Sequence, residues 1–174
     1  EINIQEENIS RQELLDSTKD ANEHKVTIEW LLKELLPFCS FIDADPEPRI
    51  MSLPHVHHLG TEVTGQLSQP AASILELVMA LHPTPAVAGD PQTEALKIIK
   101  DLEGIDRRRY AGPVGWVDSS GNGEFAVGIR SAEIHGKEAR LYAGVGLVAD
   151  SEPQSELNET RSKFQTMLST FLDL

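Results

Sequence analysis

The sequence has 174 residues, 40% hydrophobic and 25% charged, with a net charge of −13. That length suits one domain or a large piece of one, and the acidity argues against nonspecific nucleic-acid binding, which needs a basic surface. A single cysteine, Cys39, allows no intramolecular disulfide and fits a reducing cytoplasm, and neither a membrane-length apolar run nor a signal peptide is visible.

Residues 1–12 are polar and expected to be irregular. Ser17 or Thr18 can cap a first helix whose apolar side is Val26, Trp30, Leu31 and Leu35, and Pro37 ends it. The run Asp43-Ala44-Asp45-Pro46-Glu47-Pro48 reads as a loop, followed by strand-like segments over 50–53 and 56–63. Pro70 precedes a helix over 72–81. A rigid, proline-rich loop then runs from His82 to Pro91, and Asp90 can cap the next helix with Pro91 at its first position. Segments 113–117, 124–134 and 139–149 read as three antiparallel strands, with turns at Ser119-Ser120-Gly121-Asn122-Gly123 and His135-Gly136-Lys137. A last helix begins near Ser151–Pro153, with Leu157, Phe164, Met167, Leu168 and Phe171 on its buried side. The expected class is α+β, an antiparallel sheet with packed helices.

Two acidic patches stand out, one in Lys19-Asp20-Ala21-Asn22-Glu23-His24 and one in Glu156-Leu157-Asn158-Glu159-Thr160. In each, two carboxylates three residues apart share a helix face. Four carboxylates can converge only around positive charge, and an all-oxygen set suits a hard cation, with Mg2+ the natural candidate. Each pair can equally serve only a helix dipole or solubility. Arg130, alternating with Ala126 and Gly128, is either half of a structural ion pair or a fork for an anionic ligand. Gly144 and Gly146 leave a bare trough that another backbone or an anion could fill. Lys163, four residues after Glu159, can form a surface ion pair worth about 0.3–0.5 kcal/mol. His55, His57 and His58 cluster, but no zinc-ligand spacing is met.

Together these segments resemble the C-terminal half of the chorismate-binding enzymes from about Leu14 to Leu172. The motifs that carry the likeness are Ser17-Thr18-Lys19-Asp20-Ala21-Asn22-Glu23-His24, His58-Leu59, Leu81-His82-Pro83-Thr84-Pro85-Ala86-Val87-Ala88-Gly89, Tyr110-Ala111-Gly112-Pro113-Val114-Gly115-Trp116, Ala126-Val127-Gly128-Ile129-Arg130-Ser131-Ala132, Tyr142-Ala143-Gly144-Val145-Gly146-Leu147-Val148 and Glu156-Leu157-Asn158-Glu159-Thr160-Arg161-Ser162-Lys163. The resemblance implies a part of a two-subdomain fold around a cleft, with chorismate as substrate and residues 1–174 supplying its C-terminal portion. It implies that Glu23 and Glu159 ligate Mg2+ while Asp20 and Glu156 hold metal-bound water. Lys163 and the amides at Gly144 and Gly146 would receive the ring carboxylate. Arg130 and Tyr110 would hold the enolpyruvyl carboxylate, and His58 would border the ring.

Ala86 stands where anthranilate-type and salicylate-type members usually carry Thr, so the resemblance favours the isochorismate synthase subgroup over salicylate synthase, with the ammonia-using enzymes third. The implied reaction adds water at one ring carbon while the hydroxyl two carbons away departs. Its general base, a lysine, and its general acid, a glutamate, belong to the N-terminal half of the family's chain, and neither has a counterpart in this sequence. The chain alone is therefore expected not to turn over chorismate. A sheet deprived of its N-terminal partner is also expected to expose strand edges and to self-associate.

Overall fold

Ser17 opens the first helix by accepting a 3.1 Å hydrogen bond from the Asp20 amide through its hydroxyl. A computed structural model describes residues 14–53 and 56–172. The chain divides into two compact units, one up to Thr84 and one from Pro85 onward. The segment 1–12 and His55 lie outside the described residues.

In the first unit, helix α1 (Thr18–Leu35) runs into a 3-10 turn at Leu36–Phe38, where Pro37 stops the helical ladder. Strands β1 (Cys39–Ala44) and β4 (Val63–Leu67) pair antiparallel around the hairpin β2 (Arg49–Leu53)–β3 (Val56–Gly60). The expected single strand over 56–63 is thus two strands, parted at Thr61-Glu62. Strand β1, whose last residues fall in the expected loop, was not foreseen. The Arg49 guanidinium bridges Asp45 at 2.7 Å and Glu62 at 2.9 Å and ties the turn after β1 to the turn before β4. Helix α2 (Ile74–Leu81) starts two residues later than expected, because Ser73 and Glu76 form a reciprocal capping box. Helix α1 packs against α2, β1 and β3. The His24 ring meets the Thr61 hydroxyl at 2.8 Å and joins α1 to the β3–β4 turn.

In the second unit, α3 (Pro85–Ala88) is a single turn inside the proline-rich loop, and Gly89 at φ +74 closes it. Pro91 is extended, at ψ 132, so it is the N-cap of α4 (Gln92–Glu103) and not its first residue, and Asp90 does not cap the helix. Two hairpins follow, β5 (Pro113–Val117)–β6 (Gly123–Val127) and β7 (Ser131–His135)–β8 (Glu138–Tyr142). The three-stranded meander is therefore corrected to two separate pairs. The chain breaks at Gly128–Arg130, where Arg130 takes φ +49, and it leaves β8 after Tyr142. The turn at 119–123 is as expected: the Asp118 carboxylate accepts from the Ser120 and Asn122 amides. Helix α5 (Pro153–Leu172) packs against β8. Of its expected buried side, Phe164, Met167 and Phe171 are half-buried, whereas Leu157 and Leu168 are exposed and Glu156, expected on another side, is only 5% exposed. Among the described residues, no helix is long and apolar enough to cross a membrane.

Two glycines separate backbone strain from crowding. A Cβ on Gly89 would stand 2.6 Å from that of Ala95, whereas one on Gly121 (φ +84) would meet nothing within 4 Å. Gly121→Ala is expected to cost the left-handed strain alone, roughly 1 kcal/mol, and Gly89→Ala more. Urea midpoints at unchanged slope read the order, and an equal or smaller loss for Gly89→Ala contradicts the packing.

Burial lowers the pKa of His24, so folding favours the neutral ring. The unfolded chain then binds the proton more readily. This contribution is whole above the ordinary histidine value of about 6.5 and is lost as pH falls through the lower folded value. Between about pH 7 and pH 5, stability should decline less steeply in His24→Gln than in the parent, by denaturant titration at each pH. Identical slopes refute a buried neutral His24.

Candidate functional site

The second unit gathers most of the expected site residues, and two backbone hydrogen bonds do the gathering. The Ala111 amide donates to the Gly128 carbonyl at 2.9 Å, and the Gly128 amide donates to the Gly112 carbonyl at 2.7 Å. They extend the β5–β6 pairing past its last rung and set Tyr110 and Arg130 at the two sides of one junction. The junction is tight at Gly128, where a Cβ would meet the Gly112 carbonyl at 3.1 Å and Val114 at 3.3 Å. Non-glycine residues with positive φ among the described residues are Arg108, Ala111 and Arg130, all flanking this junction. Side chains in that region are strained, and such strain gathers where function over-determines a conformation.

Arg130 is half-buried in a bend, so the strand alternation with Ala126 and Gly128 does not set its direction. Burial pushes its pKa down, and the nearby Glu159 carboxylate opposes the shift. A guanidinium keeps its charge through such a change. The Lys163 ammonium reaches the same Glu159 at 2.6 Å. One helical turn earlier on α5, Glu156 is buried, with its Oε2 shielded from solvent. Arg130, Glu159 and Lys163 thus form one charge cluster, with Glu156 beside it on the same helix.

Tyr110 stacks on Tyr142 with ring centroids 5.2 Å apart and planes 12° apart. Burial pushes the Tyr110 phenol up, and the Arg107 guanidinium, 5.7 Å from its ring centre, works against that. The phenol is therefore a neutral donor near pH 7. A Cβ on Gly144 would come within 3.0 Å of the Tyr110 hydroxyl, so the bare backbone at Gly144 lies against the phenol. Gly144 and Gly146 are in irregular chain and not on a strand. Both are exposed while Ala143 and Val145 are half-buried, so the shared open face persists without the strand. Ala86 is exposed on α3.

The remaining expected residues stand in the first unit. Asp20 lies in the first turn of α1, and Glu23 one turn on, with Lys19 3.8 Å from Glu23. His58 is half-buried on β3 opposite Met51. His57 bonds the Ser52 hydroxyl at 3.0 Å, which gives it a structural partner. Among the described residues, neither unit by itself assembles three His, Cys, Asp or Glu side chains into a metal-binding group. Two surface hollows of the second unit, one under Tyr142 and one along Glu133, His135 and Glu138, contain none of the expected site residues.

Sequence reasoning missed Arg107. Its guanidinium grips Glu103 with two bonds, 2.8 and 2.5 Å, and donates to the Val87 carbonyl at 2.8 Å. The only sequence signal was the helical spacing from Glu103 to Arg107.

In chemical terms, the second unit offers a forked cation, a phenol donor, an ammonium and open backbone amides, which suit carboxylate groups. Each unit separately carries a pair of acidic side chains on one helix, Asp20 and Glu23 on α1 and Glu156 and Glu159 on α5.

The chain has similar sequences and structures among known proteins. The chain is 45% identical to isochorismate synthase DhbC of Bacillus subtilis (strain 168) over 156 residues, covering 90% of this chain and 39% of the relative. The solved structure of DhbC from Bacillus anthracis superposes with a TM-score of 0.92 at 44% identity, covering 97% of this chain and 44% of that one. MenF, the menaquinone-specific isochorismate synthase from Escherichia coli, superposes at 0.79 with 33% identity, covering 91% of this chain and 36% of that one. The chain thus spans about two fifths of the length of the relatives it matches. The family model described as chorismate binding enzyme matches residues 2–172, and the chain belongs to that family.

Proposed function

We propose that this chain is the C-terminal catalytic portion of an isochorismate synthase. The observation that carries the reading is 45% identity to a protein of that name across 90% of the chain. Exposed Ala86 on α3 supports the subgroup, because the small side chain leaves room at the ring edge.

Chorismate is a dicarboxylate, and the second unit has donors for both of its acids. In this reading Arg130 and Tyr110 hold the enolpyruvyl carboxylate. Lys163 and the amides at Gly144 and Gly146 hold the ring carboxylate. His58 on β3 borders the ring. Glu23 and Glu159, with Asp20 and Glu156 beside them, would hold Mg2+, and the all-oxygen donor set and the burial of Glu156 fit that ion. When bound, the ion supplies positive charge for the ring carboxylate.

The reaction is a substitution with allylic shift. Water adds at one ring carbon, the double bond moves, and the hydroxyl two carbons away departs. A base takes the proton from water, and an acid delivers one to the departing hydroxyl. In this reading both groups come from the N-terminal half of the whole enzyme, a lysine and a glutamate. The chain at hand contributes orientation: the Arg130 fork and the Tyr110 phenol fix one end of the substrate so that the two faces of the ring meet their partners.

Apolar exposure supports the part played by the missing half. On β5, Val114 is 61% and Trp116 55% exposed, and among the described residues β5 pairs only with β6. The same surface should make the isolated chain self-associate, and light scattering of a monomer at high concentration would refute this.

The full-length enzyme should convert chorismate to isochorismate with Mg2+, without releasing pyruvate, and should stop when the ion is chelated. The 174-residue chain alone should give no isochorismate. Arg130→Lys in the full-length enzyme should raise KM for chorismate by about tenfold to a hundredfold, since a point charge replaces a forked donor to a charged group. Pyruvate with salicylate as the product would move the assignment to salicylate synthase, and an unchanged KM would remove Arg130 from the carboxylate site.

A further inference from the structure

We propose that Arg107 is a positioning residue that locks the α3 turn bearing Ala86 to the Tyr110 ring, so that the pocket wall and the carboxylate clamp move as one body. The inference rests on the reading in which Ala86 and Tyr110 border chorismate, and it assigns a role to a side chain outside that set.

Three parts of the guanidinium are in use at once. Nε and Nη2 form a fork on the Glu103 carboxylate at the end of α4, at 2.8 and 2.5 Å. Nη1 donates to the Val87 carbonyl at 2.8 Å, one residue after Ala86. The Arg107 Cζ lies 5.7 Å from the centre of the Tyr110 ring, within cation–π range. Each partner is fixed from its other side. Val87 precedes fully buried Ala88, and the α3 turn is closed by the Gly89 amide bonding the Pro85 carbonyl at 2.8 Å. Tyr110 stacks on Tyr142, which is only 6% exposed. Arg107 touches the α3 turn, the end of α4 and the Tyr110 ring together. A lysine could satisfy one of these partners at a time, because its ammonium has no planar fork.

The coupling has a chemical use. Exchange of the ring hydroxyl for one from water, and elimination of the enolpyruvyl side chain as pyruvate, are both open to a ring bound in this site, and which one occurs depends on how the ring sits between its wall and its carboxylate clamp. Holding Ala86 and Tyr110 in fixed relation limits the orientations available. Arg107 acts through these two and not on the substrate.

The test uses the full-length enzyme. Arg107→Lys and Glu103→Gln should each raise KM for chorismate, the first by about tenfold and the second by less, with kcat changed by a smaller factor. Combined with Tyr110→Phe, Arg107→Lys should give less than the product of the two separate effects, since it acts partly through that ring. A merely structural arginine would lower the thermal midpoint and leave KM within twofold of the parent in the folded variants, which would overturn the proposal. An independent readout does not need turnover. Removing the guanidinium in Arg107→Gln should raise the pH at which the Tyr110 phenol ionises, read as the absorbance difference from Tyr110→Phe. If the parent enzyme makes no isochorismate, the functional reading falls, and the contact is judged by this titration alone, where an unmoved phenol overturns it.

Discussion

The pairing of Ala111 and Gly112 with Gly128 is the constraint on which the second unit's chemistry depends. Tyr110 and Arg130 are far apart in sequence, and nothing in their own side chains brings them together. Two backbone bonds do, at 2.9 and 2.7 Å, and a Cβ at position 128 would crowd that approach, 3.1 Å from the Gly112 carbonyl. The β5–β6 ladder ends at this junction, and the chain must turn out of it before β7 begins. Arg130 accepts a left-handed backbone at that turn, and Ala111 accepts one on the opposite side. Strain of roughly 1–2 kcal/mol per residue is tolerated because the flanking ladders leave the chain no other path.

The electrostatics follow from this geometry. Arg130 is half-buried, so its charge needs compensation from within the protein, and Glu159 provides part of it. Glu159 also holds Lys163 at 2.6 Å. A carboxylate shared between two cations keeps both oriented while partly neutralising them. Along the same helix Glu156 is withdrawn from solvent, at 5% exposure, where Glu159 keeps 41% of its side chain in contact with water. One helix face therefore grades from a dry carboxylate to a wet ion pair within two turns. A carboxylate withdrawn from water needs compensating partners within the protein, whereas the ion pair beyond it is partly screened by solvent.

Much of this was legible in the sequence because it depends on local rules. Ser17 as a cap, Pro37 as a stop and the Ser119–Gly123 turn each follow from the residue's own donors, acceptors or ring. The charged motif on α5 was legible for the same reason, since spacing on a helix fixes a face. The break at Gly128–Arg130 was not. Phe125-Ala126-Val127-Gly128-Ile129 alternates as a strand would, and only the approach of Ala111 and Gly112 from elsewhere in the chain ends it. The role of Arg107 was hidden likewise. Its spacing from Glu103 announces a helix-end ion pair, whereas its bond to the Val87 carbonyl is a tertiary event. At the start of α5 Glu156 and not Leu157 faces inward, while the apolar side expected further along is kept by half-buried Phe164, Met167 and Phe171.

Strand β5 poses the remaining question of design. A half-buried strand keeps one face dry, yet all five residues of Pro113–Val117 are exposed, Val114, Trp116 and Val117 among them. Solubility cannot explain a tryptophan and two valines on an open two-stranded ribbon, and such ribbons are marginal by themselves in water. A larger sheet explains both, because further strands would satisfy the free edge while a second layer covers the apolar face. The chain's 39% share of its relative's length agrees with that account. The apolar residues of β5 and the strained turn at Arg130 then belong to one hairpin and the chain that leaves it, the first asking for a covering layer and the second fixed by the bonds at Gly128.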